Sequence, residues 1–96
     1  MLILIAYDVN TQDKPGTRRL RRIARACVDY GARVQKSLFE CKVSQKDWAH
    51  LRFRLLSEAD LSCDSLRFYF LDVDVAKNTE HHGIKAPPDP DGPLIV

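Results

Sequence analysis

Residues 2–7, Leu-Ile-Leu-Ile-Ala-Tyr, are apolar at every position rather than at alternate ones, and no other segment constrains the fold as much. A strand with one wet face alternates, whereas one that is apolar on both faces is central, covered on one side and pressed against a partner on the other. The run stops at Asp8-Val9-Asn10 and gives way to a polar loop that extends through Pro15 and Gly16. Thr17 is the expected N-cap of a helix that runs to Tyr30 and is closed by Gly31. At about 100° per residue, Leu20, Ile23, Ala24, Cys27 and Val28 share one face, while Arg18, Arg21, Arg22 and Arg25 share the opposite one. The helix should present an arginine ridge outward.

Residues 32–43 are extended in character, as one kinked strand or two short ones, without the Asn-Gly of a tight hairpin. Ser44-Gln45-Lys46-Asp47 reads as a capping box with Asp in the Glu position, and Trp48, Leu51 and Leu55 continue at helical spacing to Ser57. After a polar connection over Glu58–Asp64, residues 65–73 (Ser-Leu-Arg-Phe-Tyr-Phe-Leu-Asp-Val) carry the strongest strand signal in the chain. Strands interleaved with two helices on one face describe an α+β sandwich of ferredoxin-like type, βαββαβ. Residues 1–78 form that domain, and residues 79–96 form a Pro-rich tail. The tail ends in Leu94-Ile95-Val96, three β-formers suited to an edge strand, of this sheet or of a second subunit's.

A chain of 96 residues supports one domain with one modest core. No apolar run approaches the roughly 18 residues of a membrane span, and no basic stretch precedes Leu2, so the expectation is a cytoplasmic protein with no membrane partner. Cys27, Cys41 and Cys63 are odd in number and lack metal-ligand spacing, which argues against a disulfide framework and a Cys-ligated zinc. The net charge of +2 conceals an asymmetry. Residues 1–56 hold 12 Lys and Arg against 5 Asp and Glu, or +7, while residues 57–96 hold 3 against 8, or −5. A basic half suits a phosphate-bearing partner, and an acidic half suits solubility or another protein.

Gly-rich phosphate loops, Gly-x-Ser-x-Gly and His-Glu-x-x-His are all absent. Asp8, at a strand end, can project into a cleft. In isolation such a carboxylate is more often a turn residue, but a twofold axis near it would pair two copies of Asp8, and paired carboxylates with waters suit Mg²⁺ or another hard divalent cation such as Mn²⁺. Such a metal could polarise a phosphodiester and activate water. Asn10, Asp13 and Ser37 are auxiliary oxygen candidates with turn or strand polarity as their plainer role. Arg18, Arg19, Arg21, Arg22 and Arg25, extended by Arg33 and Lys36, could grip several phosphates; the bland alternative is a solvated helix face partly neutralised by Asp29. Tyr7, Phe39, Phe68, Tyr69 and Phe70 are core residues first, with one or two left to stack on bases. The His81-His82 pair diverges on an extended segment and reads as surface.

Tyr7-Asp8-Val9, the arginine-bearing helix ending Asp29-Tyr30-Gly31, the run Arg33-Val34-Gln35-Lys36-Ser37-Leu38-Phe39-Glu40-Cys41, and Asp64-Ser65-Leu66-Arg67-Phe68-Tyr69 together resemble the CRISPR-associated protein two family over roughly residues 1–75. The resemblance implies a ferredoxin-like homodimer with the C-terminal strand exchanged between subunits, and one divalent metal held by Asp8 of both. It implies a metal-dependent endonuclease acting on single-stranded RNA or double-stranded DNA in spacer acquisition and antiviral defence, with Tyr7, Asp8, Arg18, Arg33 and Phe39 at the cleavage site. Arg19 and Arg21 are alternatives to Arg18, because the preceding loop varies in length. The family also serves as a scaffold that holds DNA for the CRISPR-associated integrase, and that non-catalytic role is the second reading; Asp89 and Asp91 of the acidic tail are the expected integrase contact. A small-molecule regulatory module of the same fold is the third, and it has little reason to carry an arginine ridge.

Overall fold

The computed structural model describes residues 1–71 and His82. Strand β1 (Leu2–Asp8) is followed by helix α1 (Lys14–Tyr30), strands β2 (Ala32–Gln35) and β3 (Leu38–Lys42), helix α2 (Gln45–Glu58) and strand β4 (Ser65–Phe70). The strands form one antiparallel sheet in the order β2-β3-β1-β4, with β1 central as its composition requires. This is the expected ferredoxin-like arrangement, and residues 32–43 resolve into two strands. The turn between them holds Lys36 and Ser37 and needs no glycine, because a register shift between Arg33 and Gln35 absorbs the mismatch.

Ile3, Ile5 and Tyr7 of β1 point toward the helices and build the core with Ile23, Ala26 and Cys27 of α1, Phe39 and Cys41 of β3, and Trp48, Leu51 and Leu55 of α2. Trp48 meets Phe68 and Phe70 edge-on, with ring centroids 4.9 and 5.7 Å apart. The alternate β1 residues Leu2, Leu4 and Ala6 lie on the other face of the sheet, half-buried, with Asp8 exposed at the end of the row. No helix of the described residues covers that face. No described helix is long and apolar enough to cross a membrane.

Three local expectations are corrected. Asp13, not Thr17, caps α1: its carboxylate accepts from Gly16 N at 2.8 Å, and Pro15 occupies the first turn, where its missing N–H costs nothing. The buried stripe of α1 is rotated from the expected one, so Ala26 is inside and Val28 is 53% exposed. Gly31 closes the helix with extended backbone (φ −159°) rather than the left-handed conformation. It is glycine for room, since a Cβ there would lie 2.5 Å from Cys41 Sγ and from the Glu40 carbonyl oxygen. Ser44 caps α2 as expected, accepting from Asp47 N at 3.1 Å. The described part of β4 ends at Phe70, and the expected edge strand at residues 94–96 lies outside the described residues.

Candidate functional site

The helix side of the molecule carries an open groove of about 440 Å³ lined by Arg21, Arg22, Arg25 and Val28 of α1, Arg33 of β2, and Arg54 and Glu58 of α2. Five guanidinium groups around one groove make a strong local positive potential. It is partly offset. Asp29 accepts from Arg54 at 2.7 Å and lies 3.8 Å from Arg25, and Glu58 lies 3.7 Å from Arg22. Among the described residues Arg18 and Arg21 are exposed and make no ion pair. Arg33 reaches the groove from the edge strand, held over the buried Phe39 ring, which stacks in turn on Tyr7 at 6.1 Å between centroids. Arg54 was not singled out by sequence reasoning; it sits 25 residues from its partner Asp29 and only the α1–α2 packing brings it to the ridge.

Asp8 faces the other way. β1 alternation directs it to the uncovered side of the sheet, where it lines a second cleft with Ala6, Ser65, Arg67, Tyr69 and Leu61. Its cross-strand partner is Ser65. Arg67 donates to the Tyr69 hydroxyl at 3.2 Å on this face. The groove and the cleft share no lining residue.

Arg19 departs from the ridge. Its Nε donates to Asp64 Oδ2 at 2.8 Å and its Nη2 to Asp64 Oδ1 at 3.3 Å, so its charge is already committed and is not free for phosphate. The Asp64 side chain is fully buried and also accepts from Asn10 N at 3.0 Å and Asp60 N at 2.9 Å. The Arg19 bond above all, with these backbone donors, holds the Asp64 carboxyl far below the usual carboxylate range against the opposing effect of burial.

The family model for "CRISPR associated protein Cas2" matches residues 1–79. The chain belongs to the Cas2 family. It is 56% identical over 96 residues, covering 100% of itself and 94% of its relative, to the CRISPR-associated endoribonuclease Cas2 of Nitratidesulfovibrio vulgaris. It is 46% identical over 95 residues, covering 99% of each chain, to the CRISPR-associated endonuclease Cas2 of Halalkalibacterium halodurans. The crystal structure of Streptococcus pyogenes Cas2 at pH 6.5 superposes with a TM-score of 0.77 at 43% identity, over 86% of this chain and 100% of that one.

Within this Cas2 fold the residues singled out from the sequence separate by exposure. Asp8 is exposed at a cleft, and Arg33 is exposed at the groove. Phe39 is completely buried and Tyr7 nearly so, its hydroxyl donating to the Lys36 carbonyl at 3.4 Å, so neither ring is presented to solvent. Burial above all raises the Tyr7 phenol from its ordinary range. Arg18 is exposed near the start of α1, and Lys36 is exposed in the β2–β3 turn. Asn10 and Asp13 serve as turn and cap: Asn10 Oδ1 accepts from Gln12 N at 3.0 Å, and Asp13 is the α1 cap. Ser37 is exposed, with its carbonyl accepting from Tyr7 N at 3.1 Å. Cys27 and Cys41 are buried, with thiols pushed up to about 12 and about 11 chiefly by burial, as small hydrophobes should be. His82 is exposed, and His81, Asp89 and Asp91 lie outside the described residues.

Proposed function

We propose that this chain is a divalent-metal-dependent endonuclease of the CRISPR system, acting as a homodimer on phosphodiesters of single-stranded RNA or double-stranded DNA. The observation that carries the reading is the placement of Asp8: an exposed carboxylate at the end of a row of half-buried apolar residues, on the face that no described helix covers. Half-buried Leu2, Leu4, Ala6 and Leu38 give a second copy an apolar surface to cover, and a twofold axis near Asp8 would bring two carboxylates together.

The donor chemistry fits a hard cation. Mg²⁺ takes one or two carboxylates and keeps its waters, and Asp8 is an accessible oxygen donor of that type. Asp8 alone supplies one such carboxylate, and the twofold axis proposed above would supply the second from the other copy's Asp8. The bound ion would polarise the phosphodiester and lower the pKa of a water. This chain's own residues orient Asp8 through β1 pairing, place Arg67 beside it for a phosphate oxygen, and hold Arg33 and the α1 arginines against the backbone elsewhere.

Cleavage of labelled RNA and duplex DNA by wild type and Asp8→Ala, with Mg²⁺ or chelator, tests it. Wild type should cut only with metal, and Asp8→Ala should bind without cutting; equal cutting by both sinks the mechanism.

A second reading, a dimeric scaffold that holds DNA for the CRISPR-associated integrase without cutting it, is favoured by one observation. The arginine groove is separate from the Asp8 cleft, so capture does not require the carboxylate. Binding by both proteins with cutting by neither selects it.

A further inference from the structure

We infer that the ion pair between the buried Asp64 and Arg19 is the positioning device for Asp8, and sets its affinity for the divalent cation. This rests on the metal-binding reading of Asp8 given above. The chain leaves β1 at Asp8, and Asp64 holds the backbone just beyond it while its neighbour pairs with Asp8 itself. Two residues later, Asn10 N donates to Asp64 Oδ1 at 3.0 Å, and directly across the sheet Asp8 pairs with Ser65, the residue next to Asp64. The second carboxylate oxygen accepts from Asp60 N at 2.9 Å and Arg19 Nε at 2.8 Å, tying the same point to the α2–β4 turn and to α1. Arg19 Nη2 also reaches the Asn10 carbonyl at 3.5 Å, so both backbone groups of Asn10 face the pair.

An independent contact narrows the loop further. A Cβ on Gly16 would stand 1.9 Å from the Asn10 carbonyl oxygen, so the first turn of α1 lies directly against the loop that follows Asp8. Asp64 borders the same cleft as Asp8, but its side chain is wholly buried and its oxygens accept from Arg19, Asn10 and Asp60, so it acts through the loop and the strand pairing. A carboxylate at the tip of a strand is only as well placed as the backbone beneath it. Groups that orient a metal ligand commonly contribute about 10- to 100-fold in metal affinity.

The test is Mn²⁺ binding followed by the loss of the free-ion electron paramagnetic resonance signal, on full-length wild type, Asp8→Ala, Asp64→Asn, Arg19→Lys, and the neutral pair Asp64→Asn with Arg19→Gln. Amide hydrogen exchange at Asn10 is measured on the same samples. The neutral pair avoids leaving the partly exposed arginine without its carboxylate, and it serves where the single substitution fails to fold. The expected result is a folded neutral pair with faster exchange at Asn10 and Mn²⁺ binding weakened about tenfold or more, partly restored in Arg19→Lys. A folded neutral pair with wild-type Mn²⁺ affinity overturns the positioning role and leaves the Asp8 reading standing. Wild type and Asp8→Ala that bind Mn²⁺ equally overturn the Asp8 reading and the positioning role with it.

Discussion

The guanidinium carbon of Arg33 stands 5.0 Å from the centre of the Phe39 ring, so an exposed cation on an edge strand is steered by a residue with no solvent exposure. The two are cross-strand partners in the β2–β3 ladder. Phe39 thus has two duties, filling the core and aiming Arg33 at the groove. Phe39→Ala should lose about 3–5 kcal/mol of stability by the cavity it leaves. Phe39→Leu should keep the fold and weaken nucleic-acid binding about as much as Arg33→Ala does. Chemical denaturation and duplex binding on both variants check this, and a Phe39→Leu protein with wild-type binding would deny the aiming role.

Asp29 is a brake on the groove. It holds Arg54 at 2.7 Å and Arg25 at 3.8 Å, and a phosphate must compete with it for both. Asp29→Asn should tighten binding a few-fold to unrelated duplexes alike, and should steepen the salt dependence, whose slope grows by about 0.9 for each added phosphate contact on duplex DNA. Titrations from low to moderate salt give the slope directly. Removing Arg21 should flatten the same plot.

Acid should unlatch the Asp64 carboxyl late. Its pKa is depressed in the folded chain, so its stabilising contribution is complete above the unfolded carboxyl pKa of about 3.9 and drains away as the pH falls below that, toward the lower folded value. The sign follows from the unfolded chain binding the proton more readily than the folded one. Denaturant melts between neutral pH and about pH 2.5 should fall steeply at the acid end for wild type and less steeply for the Asp64→Asn, Arg19→Gln pair. Parallel curves would assign the acid limb to other carboxylates.

The cysteines should sort by exposure. Cys27 and Cys41 are buried with thiol pKa values raised to about 12 and about 11, whereas Cys63 is exposed, its thiol also raised, by desolvation first and then by Asp60 and Asp64, so exposure decides the order. Iodoacetamide near pH 8 should add one label per native chain and three after unfolding, read by intact mass. Labelling of Cys27 in the native protein would show that α1 leaves the sheet.

Much of this architecture could be read from local pattern. The unbroken apolar run of β1, the Ser44 cap and the Trp48-Leu51-Leu55 spacing each report on neighbours within a few residues, and each stands where expected. The misreadings have local causes too. Asp13 outcompetes Thr17 as a cap because Pro15 already suits the first turn, and Val28 is displaced from the core because the α1 stripe follows Ile23, Ala26 and Cys27. Asp8 could be singled out from its strand-end position, and Arg33 and Phe39 from the motif around them. What stayed illegible is long-range pairing. Arg19 looked like one more member of a basic ridge, and nothing near it announced a partner 45 residues away. Asp64 looked like a loop carboxylate, although it is the most heavily hydrogen-bonded side chain described above.

The separation of the arginine groove from the Asp8 cleft has an evolutionary consequence. A lineage that loses the carboxylate loses nothing from the helix side, because no described residue lines both surfaces. On the function proposed above, selection could relax on cutting at Asp8 while persisting on holding at the arginine groove, and a single substitution would then turn an enzyme into a structural part.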